Sequence, residues 1–595
     1  MSNRSVYILA LVCSILVYEL PSVLTLMKVG WEPIPPVLVA DQMLYLNLST
    51  VHHVSSTEVL NPWYGTRVLA VDVPHLMFPV TFVLFRMVHS LFSSWTAAVL
   101  AWNALWTALT FAAAAFCFKA FFPNTDKNLT YIAAFGVLVL QSPLIYFQEI
   151  WQLLRLHPLY GLPLPYLRFA IPQVILPCIL LYWGLQVIAL RRASWPVLGG
   201  MALLQFAVCA AFPYYVPILA LGTGIAFLIA ANREEPALTW PVALGFAAVC
   251  GVLDIGYVSL VGLGKSHANV HLSLQFRPEM ILPSIRPYLI ILLVASALVL
   301  LSRTSLPVRS TVAGLALASA VFGFVDVFFA PEAQMLQHPH YVIALVTWLP
   351  LVVFLWPILE NTKRPWSRVA IVCGLLAIGI WEGYSSYRMT LPINSSQQNA
   401  IREIRQLDLT ERDLVIAPSR FSDDISAWIP LLSTAKVLFA ANGENILSGA
   451  DTRTVQTVRQ SLYLMMAGMN VASLERSIGP NSSDSQIRPL LQQTDQTYAG
   501  SPLQSDQLKL RNLLRERLVQ VFSRFENDPA TSSEILSGYD RIYVIDSDRT
   551  RFFDEAAFSK WLFIDQSRNE EGIKIWLCHP RFSSLEPAAT KNDIH

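Results

Sequence analysis

Residues 96–118 read TAAVLAWNALWTALTFAAAAFCF and contain no charged side chain. An α-helix rises about 1.5 Å per residue, so about 20 apolar residues cross the hydrocarbon core of a bilayer. This run is long enough to cross it and has no charged face to present to water. The sequence therefore predicts a transmembrane helix here.

Comparable apolar runs follow one another through the first two thirds of the chain. With 96–118 they give the candidate spans 6–27, 76–93, 96–118, 130–147, 171–190, 196–212, 214–231, 238–262, 287–302, 310–330, 341–359 and 368–386. We predict a polytopic α-helical membrane protein with about 11–13 transmembrane helices over residues 1–388, in a plasma membrane of bacterial type.

Charged side chains make up 14% of the 595 residues, against about 25% in soluble proteins, and become frequent only after residue 389. The later part mixes β-branched runs with helix-like segments. Strands are expected at 413–418, 436–441 and 541–546, a hairpin over 561–578, and helices at 395–406, 453–470 and 506–526. We predict a soluble α/β domain over 389–595. The net charge of +1 gives no indication of the basic face that nucleic-acid binding needs, so no nucleic-acid partner is predicted.

Basic residues mark the predicted orientation, because Lys and Arg in short loops favour the cytoplasm. Arg191, Arg233, Arg309 and Lys363 lie at alternate boundaries, which puts the C-terminal domain outside. Twelve spans would then put the N-terminus outside as well, whereas Arg4 favours the inside. One segment between 28 and 170 is therefore miscounted, which gives 11 or 13 spans with 28–75 as the first extracytoplasmic loop.

The 28–75 loop is polar and long, as functional loops often are. Its aromatic residues Tyr45, Trp63 and Tyr64 are predicted to contact the membrane surface. After the first helix it contains Val-Ala-Asp-Gln-Met-Leu-Tyr-Leu at 39–46, and it ends with Val-Pro-His-Leu at 73–76. This layout resembles the GT-C membrane glycosyltransferases.

The resemblance implies an enzyme that moves a sugar from a polyprenyl-phosphate donor in the membrane to an extracytoplasmic glycan, lipid or protein. It also implies an essential acidic residue in the first loop, which here is Asp41. Many members carry two adjacent acidic residues, but Asp41 is followed by Gln42, which puts metal use in doubt.

The chemistry of such a transfer needs a base that takes the proton of the acceptor, whereas the phosphate leaves already ionised and needs cations. Asp41 is the predicted base. Arg pairs bidentately with phosphate oxygens. The candidate donor-phosphate or substrate ligands, all in predicted outer loops, are His75, Glu149, Arg168, Arg277, Glu332, His338 and His340. No dedicated metal-ligand set is present, and the sequence leaves open whether Mg or Mn takes part.

Two further readings stay open at this point. One is a transporter or lipid flippase, and the other is an O-antigen-type polymerase or ligase. Asp254 and Asp326 lie within apolar runs, where acidic residues are costly and default to functional or paired groups. Both are near the outer ends of their predicted helices, so the interface is their expected position. An acidic pair at 423–424 follows the first predicted strand of the soluble domain and is expected to be solvated.

Overall fold

The computed structural model describes most of the predicted helices and the C-terminal domain, with gaps. The described residues are 3–29, 58–65, 67–69, 79–139, 173–211, 215–231, 240–260, 304–323, 352–357, 359–361, 365–389, 395–419, 425–440, 450–478, 504–548 and 551–581, with the single residues 31, 46, 50, 299 and 349. They fall into two compact units. Unit 1 comprises residues 1–45 and 77–391, and unit 2 comprises residues 46–76 and 392–595.

Unit 1 is helical throughout its described part. Its helices are α1 (Asn3–Val29), α2 (Pro79–His89), α3 (Trp95–Phe121), α4 (Lys127–Val139), α5 (Ile175–Arg191), α6 (Trp195–Ala211), α7 (Val216–Ala231), α8 (Trp240–Leu260), α9 (Leu306–Gly323) and α10 (Pro365–Met389). Among the described residues, three stretches are long and apolar enough to cross a membrane: Asn3–Lys28, Trp95–Phe121 and Trp366–Arg388. The expected class of helical membrane protein is confirmed at this level.

Helices α1 and α10 run in the same direction and pack closely. A Cβ atom placed on Gly379 would lie 2.9 Å from Val17 Cγ2, and one on Gly383 would lie 2.9 Å from Leu20 Cδ2. The two glycines form a GxxxG pattern, which lets membrane helices approach closely. Because the partner number rises from Val17 to Leu20 as the glycine number rises, the two helices are parallel.

Helix α4 shares that direction. The rings of Tyr7 and Tyr131 are 5.1 Å apart near the start of α1, and the Tyr18 hydroxyl donates to Leu138 O at 3.0 Å further along. Helix α3 precedes α4 by the short turn 122–126 and therefore runs the opposite way. Its first residue follows Ser94, whose Oγ accepts a hydrogen bond from Ala97 N and caps the helix.

Helix α5 is parallel to α3. Near its start Gln173 Nε2 donates to Asn103 Oδ1 at 2.8 Å, and at its end Arg191 Nη2 donates to Phe121 O, also at 2.8 Å. The three-residue link 192–194 makes α6 run antiparallel to α5. Helix α8 follows the direction of α6, because Gln205 contacts Asp254 and Ala210 contacts Tyr257.

Unit 2 is built on a mixed five-stranded sheet. Its strands are β3 (Asp413–Ile416), β4 (Lys436–Val437), β5 (Arg541–Ser547), β6 (Leu562–Glu570) and β7 (Ile573–Pro580), in the order β4-β3-β5-β7-β6. Strand β3 pairs in parallel with β4 and β5, whereas β7 is antiparallel to β5 and β6. The expected strands and C-terminal hairpin are thus present, and the predicted α/β character of this part is confirmed.

Helices cover the central strands, which are buried along nearly their whole length. They are α11 (Ser395–Gln406), α12 (Ala450–Met466), α13 (Val471–Ile478) and α14 (Gln504–Asn527). One face of β3 and β5 joins α12 and α14 in an apolar core that includes Leu414, Val544, Leu462 and Phe522. Helix α11 contacts β5 and β7. Burying both faces explains why β3 and β5 read as continuous apolar runs.

Unit 2 also contains a segment from far earlier in the chain. Strands β1 (Glu58–Leu60) and β2 (Arg67–Leu69) form an antiparallel hairpin in which Val59 pairs with Val68. This hairpin belongs to the 28–75 loop predicted from the sequence. Residues 46–75 of that loop therefore share one compact unit with the C-terminal domain, whereas residues 28–45 are assigned to unit 1.

Candidate functional site

The residues that the sequence singles out for chemistry lie outside the described part of the chain. They are Asp41, His75, Glu149, Arg168, Arg277, Glu332, His338 and His340, together with Asp326 and the acidic pair 423–424. Their roles therefore stay predictions. The described residues define three polar arrangements that bear on function: the tip of the first loop, one edge of the sheet, and a chain of side chains within the helices.

The tip of the first loop is the turn Asn61-Pro62-Trp63-Tyr64-Gly65. Asn61 Oδ1 accepts hydrogen bonds from Trp63 N at 2.9 Å and Tyr64 N at 3.1 Å, and Gly65 N donates to Asn61 O at 2.8 Å. Asn is suited to this role because its short side chain mimics a backbone turn. Gly65 has a φ of +68°, a conformation that glycine adopts without steric cost.

This turn packs on the edge of the C-terminal sheet. Val437 N, in the edge strand β4, donates to Trp63 O at 2.8 Å, and Ala440 N donates to the Tyr64 hydroxyl at 3.3 Å. The Arg459 guanidinium lies 5.0 Å from the centroid of the Tyr64 ring. Trp63 is 1% and Tyr64 3% exposed. The predicted contact of these two rings with the membrane surface is therefore wrong, because the C-terminal domain buries them.

The second arrangement is the edge of the sheet where β3, β4 and β5 end. The chain leaves β3 for β4 on one side and returns to β5 on the other, so the β3–β5 boundary is a topological switch point. In open α/β sheets, ligands bind at the carboxyl ends of the strands at such a point. Ser419 N, after β3, donates there to the Tyr463 hydroxyl at 2.8 Å.

On the β5 side of that boundary lies a buried carboxylate. Asp546 Oδ2 accepts from Phe553 N at 2.8 Å, and its Oδ1 accepts from Ser547 N at the same distance. The Phe553 ring packs edge-on to Tyr463, with centroids 5.5 Å apart. Both carboxylate oxygens thus hold the loop after β5 in place. Asp546 therefore has a supporting role at this end of the sheet, because it fixes the backbone on both sides of the turn after β5.

The opposite end of the sheet carries a structural ion pair. Asp413 begins β3, and Arg541 Nε and Nη2 donate to its two oxygens at 2.8 and 2.7 Å. Burial raises the pKa of Asp413, but the hydrogen bonds from Arg541 and Thr410 outweigh it and hold that pKa below its ordinary value. The pair lies away from the switch point, so we assign it to stability.

The third arrangement is a hydrogen-bonded chain across four helices of unit 1. Gln205 Nε2 (α6) donates to Asp254 Oδ2 (α8) at 2.6 Å, and the Tyr182 hydroxyl (α5) lies 3.4 Å from Gln205 Oε1 and 2.7 Å from Thr223 Oγ1 (α7). Thr223 Oγ1 in turn donates to Gln186 Oε1 at 3.2 Å. Asp254 is 8% exposed, so it does not reach the surface as its position in the sequence suggests.

No metal centre is evident within the described ranges, where no group of three or more His, Cys, Asp or Glu side chains could hold an ion. The docked turn and the hydrogen-bonded chain across α5 to α8 are features that sequence reasoning missed. Each member of the chain is a single polar residue inside an apolar run, and Arg459 looks like any surface arginine. The signal for the turn was stronger, since Asn-Pro followed by Gly is typical of a fixed turn.

Comparison with known proteins gives fold-level similarity. No family model and no curated protein matches the chain. Among solved structures it is similar to the archaeal oligosaccharyltransferase AglB from Archaeoglobus fulgidus in complex with an inhibitory peptide and a dolichol-phosphate, at 12% identity and a TM-score of 0.40. That match covers 73% of this chain and 64% of AglB, so the chain spans about two thirds of the length of this neighbour.

Two further structures of the Archaeoglobus fulgidus oligosaccharyltransferase are similar at 12% identity. One is tethered to an acceptor peptide that contains the NVT sequon, with a TM-score of 0.36, covering 98% of this chain and 75% of that one. The other is the apo form, with a TM-score of 0.35, covering 92% and 70%. All three of these solved structures are oligosaccharyltransferases. At this identity the likeness concerns the fold alone.

Proposed function

We propose that the chain is a membrane glycosyltransferase that moves a sugar from a polyprenyl-phosphate donor to an extracytoplasmic glycan, lipid or protein, with Asp41 as the catalytic base. The observation that carries this proposal is the contact between the first loop and the C-terminal domain. Since Trp63 O and Val437 N are hydrogen-bonded, the two segments lie on the same side of any membrane that the chain crosses.

Helix directions in unit 1 support the same arrangement independently. Helices α1 and α10 are parallel, so the loop that follows α1 and the domain that follows α10 leave the membrane on one side. Lys119, Lys127, Arg191 and Arg368 all lie at the opposite helix ends. By the preference of basic residues for the cytoplasm, the first loop and the domain are extracytoplasmic.

The helix directions also bear on which of the twelve predicted spans does not cross the membrane. Helices α1 and α4 are parallel and α3 is antiparallel to both, so the chain makes no net crossing between the end of α1 and the start of α3. Helix α2 therefore does not cross. Its 11 residues give a length of about 16 Å, roughly half of a hydrocarbon core. Without the 76–93 span, eleven crossings remain and the N-terminus lies inside.

This topology supplies what the reaction needs. Asp41 follows α1 by 12 residues in the sequence, so the proposed topology puts it on the extracytoplasmic side, where a lipid carrier would present its phosphate. A carboxylate there can accept the proton of the acceptor, as a general base. Arg168 and Arg277, in outer loops, carry the guanidinium groups that pair with phosphate oxygens. A divalent cation remains compatible with this proposal but is not required by it.

The direct test is sugar transfer by the purified full-length protein in nanodiscs, with radiolabelled polyprenyl-phosphate sugars as donors. Asp41→Asn keeps the size of the side chain but removes its basicity, so we expect transfer to fall about 100-fold or more. Asp565→Asn, at an exposed carboxylate of β6, is the matched control and keeps full activity. Full transfer by Asp41→Asn would refute the role of this residue.

A further inference from the structure

Arg459 occupies an unusual position for a cationic side chain. It is 8% exposed, and its Nη1 donates to Val437 O at 3.1 Å while its Nη2 donates to the Tyr539 hydroxyl at 3.4 Å. A buried charge is costly unless it is paired or hydrogen-bonded. The partners of Arg459 within the described ranges are neutral: a carbonyl, a phenol and the face of the Tyr64 ring. The first loop therefore supplies part of the environment that makes this burial tolerable.

The edge strand β4 also depends on the first loop. The outermost strand of a sheet presents unpaired N–H and C=O groups, which proteins cover or pair. Val437 N finds its acceptor in Trp63 O, and Val437 O finds its donor in Arg459. One residue of β4 is thus tied to the loop through its N–H and to Arg459 through its carbonyl.

The Asn61–Gly65 turn has a backbone conformation that suits its contact with β4. Asn61 fixes the backbone of Trp63 and Tyr64, and the absence of a side chain at Gly65 leaves room for Lys436, whose Cε would lie 2.7 Å from a Cβ at that position. Burying Lys436 in this way lowers its pKa below the ordinary value. Releasing the turn would expose two aromatic rings and remove the ring that faces Arg459.

We propose that Trp63, Tyr64 and Arg459 form a loop latch, a set of positioning residues that fixes the Asn61–Gly65 turn on the C-terminal domain and on which sugar transfer depends. This inference rests on the proposed function. In the sequence, the latched turn lies 20 residues after Asp41 and 10 residues before His75, between two predicted functional residues of the loop.

The test measures hydrogen exchange of residues 58–69 and sugar transfer in the same full-length samples. Tyr64→Ala and Arg459→Ala each remove the contact between ring and guanidinium, so we expect turn amides to exchange at least tenfold faster and kcat to fall at least tenfold. Tyr64→Phe keeps the ring but loses the hydrogen bond from Ala440 N. We therefore expect its turn exchange and its kcat to stay close to those of the wild type. Phe563→Ala, at an exposed aromatic residue of the same domain, leaves both unchanged.

Exchange at β5 separates positioning from general unfolding. The latch predicts that β5 amides stay protected in the Ala variants while the turn opens and kcat falls. Loss of β5 protection alongside the turn, or an open turn with full transfer, would overturn the dependence of transfer on the latch. Unchanged exchange at the turn would overturn the latch itself. Hydrogen exchange tests the latch even in samples that show no sugar transfer. The proposed function fails separately, if the wild type shows no transfer or if Asp41→Asn keeps full transfer.

Discussion

The chain joins its beginning to its end in two places, and the two contacts use different physics. In unit 1, α1 packs against α10 through Val17, Leu20 and the glycines at 379 and 383, with apolar side chains against bare backbone. In unit 2, the tip of the first loop meets β4 through hydrogen bonds and an arginine over an aromatic ring. Within a bilayer close packing holds helices together, whereas at a water-exposed edge polar groups must also be matched.

The helix contact predicts the largest effect. Gly383→Leu places a side chain against Leu20 and Val17 O, and overpacking of this kind costs about 3 kcal/mol. We expect a lower thermal midpoint in detergent and less folded protein in the membrane. Gly374→Leu is the matched control in the same helix, because no atom lies within 4 Å of a Cβ there. Equal midpoints for the two variants would break the proposed packing of α1 on α10.

Replacing one buried aspartate by asparagine in each unit compares how much the two carboxylates contribute to stability. Asp413→Asn removes the charge that faces Arg541 and leaves the guanidinium without its ion-pair partner, which should cost about 2 kcal/mol. Asp254→Asn keeps an oxygen that accepts from Gln205 and loses no cationic partner among the described residues, so we expect a change below about 0.5 kcal/mol. Thermal midpoints of the two variants check this difference, and a larger loss for Asp254→Asn would contradict it.

The pH dependence of stability tests the ion pair between Asp413 and Arg541 in a second way. Since the pKa of Asp413 is lowered in the folded state, its contribution to stability is present above the unfolded pKa of about 4 and is lost as pH falls through the folded pKa. Unit 2 should therefore lose stability below about pH 4, and the slope should be smaller in Asp413→Asn. A wild-type and variant profile with the same slope would rule this contribution out.

The smallest expected difference between two paired variants concerns the turn backbone. Gly65 and Gly572 both have positive φ, at +68° and +77°, so Ala at either position costs about 1 kcal/mol. Gly65→Ala also meets the flexible end of Lys436, while the nearest atom at Gly572 is 3.8 Å away. Because the lysine stem can move, we expect the two variants to differ by less than about 1 kcal/mol in chemical denaturation. A much larger loss at Gly65 would mean that the turn is held more rigidly than its contacts indicate.

The sequence predicts the helical and α/β parts well, because apolar run length and β-branched enrichment are local properties. The strands at 413–416 and 541–547 and the helix at 395–406 lie where expected. The proposed topology leaves the span at 76–93 out of the crossings, and hydropathy alone cannot make that distinction between a short apolar helix and a crossing one. The helix directions behind this proposal depend on contacts such as Tyr18 with Leu138, between residues 120 positions apart.

The candidate site was harder to predict from the sequence, again because it depends on contacts between distant residues. Trp63 and Tyr64 look like interfacial aromatics, and only the distant Val437 and Arg459 show that they are buried in a domain. Asp254 looks interfacial because nothing in its own run shows that Gln205 and Tyr182 surround it. Polar partners in a fold are chosen in three dimensions, whereas composition and periodicity report on one segment at a time.

The most direct test of the account is the side of the membrane on which the first loop lies. The starting protein is a variant without the native cysteines, and one exposed residue at a time is replaced by cysteine. The three positions are Trp31 (after α1), Asn124 (between α3 and α4) and Gln566 (in the C-terminal domain). The account predicts that a membrane-impermeant maleimide labels positions 31 and 566 in intact cells and position 124 only after permeabilisation. Labelling of 31 and 566 from opposite sides would contradict it.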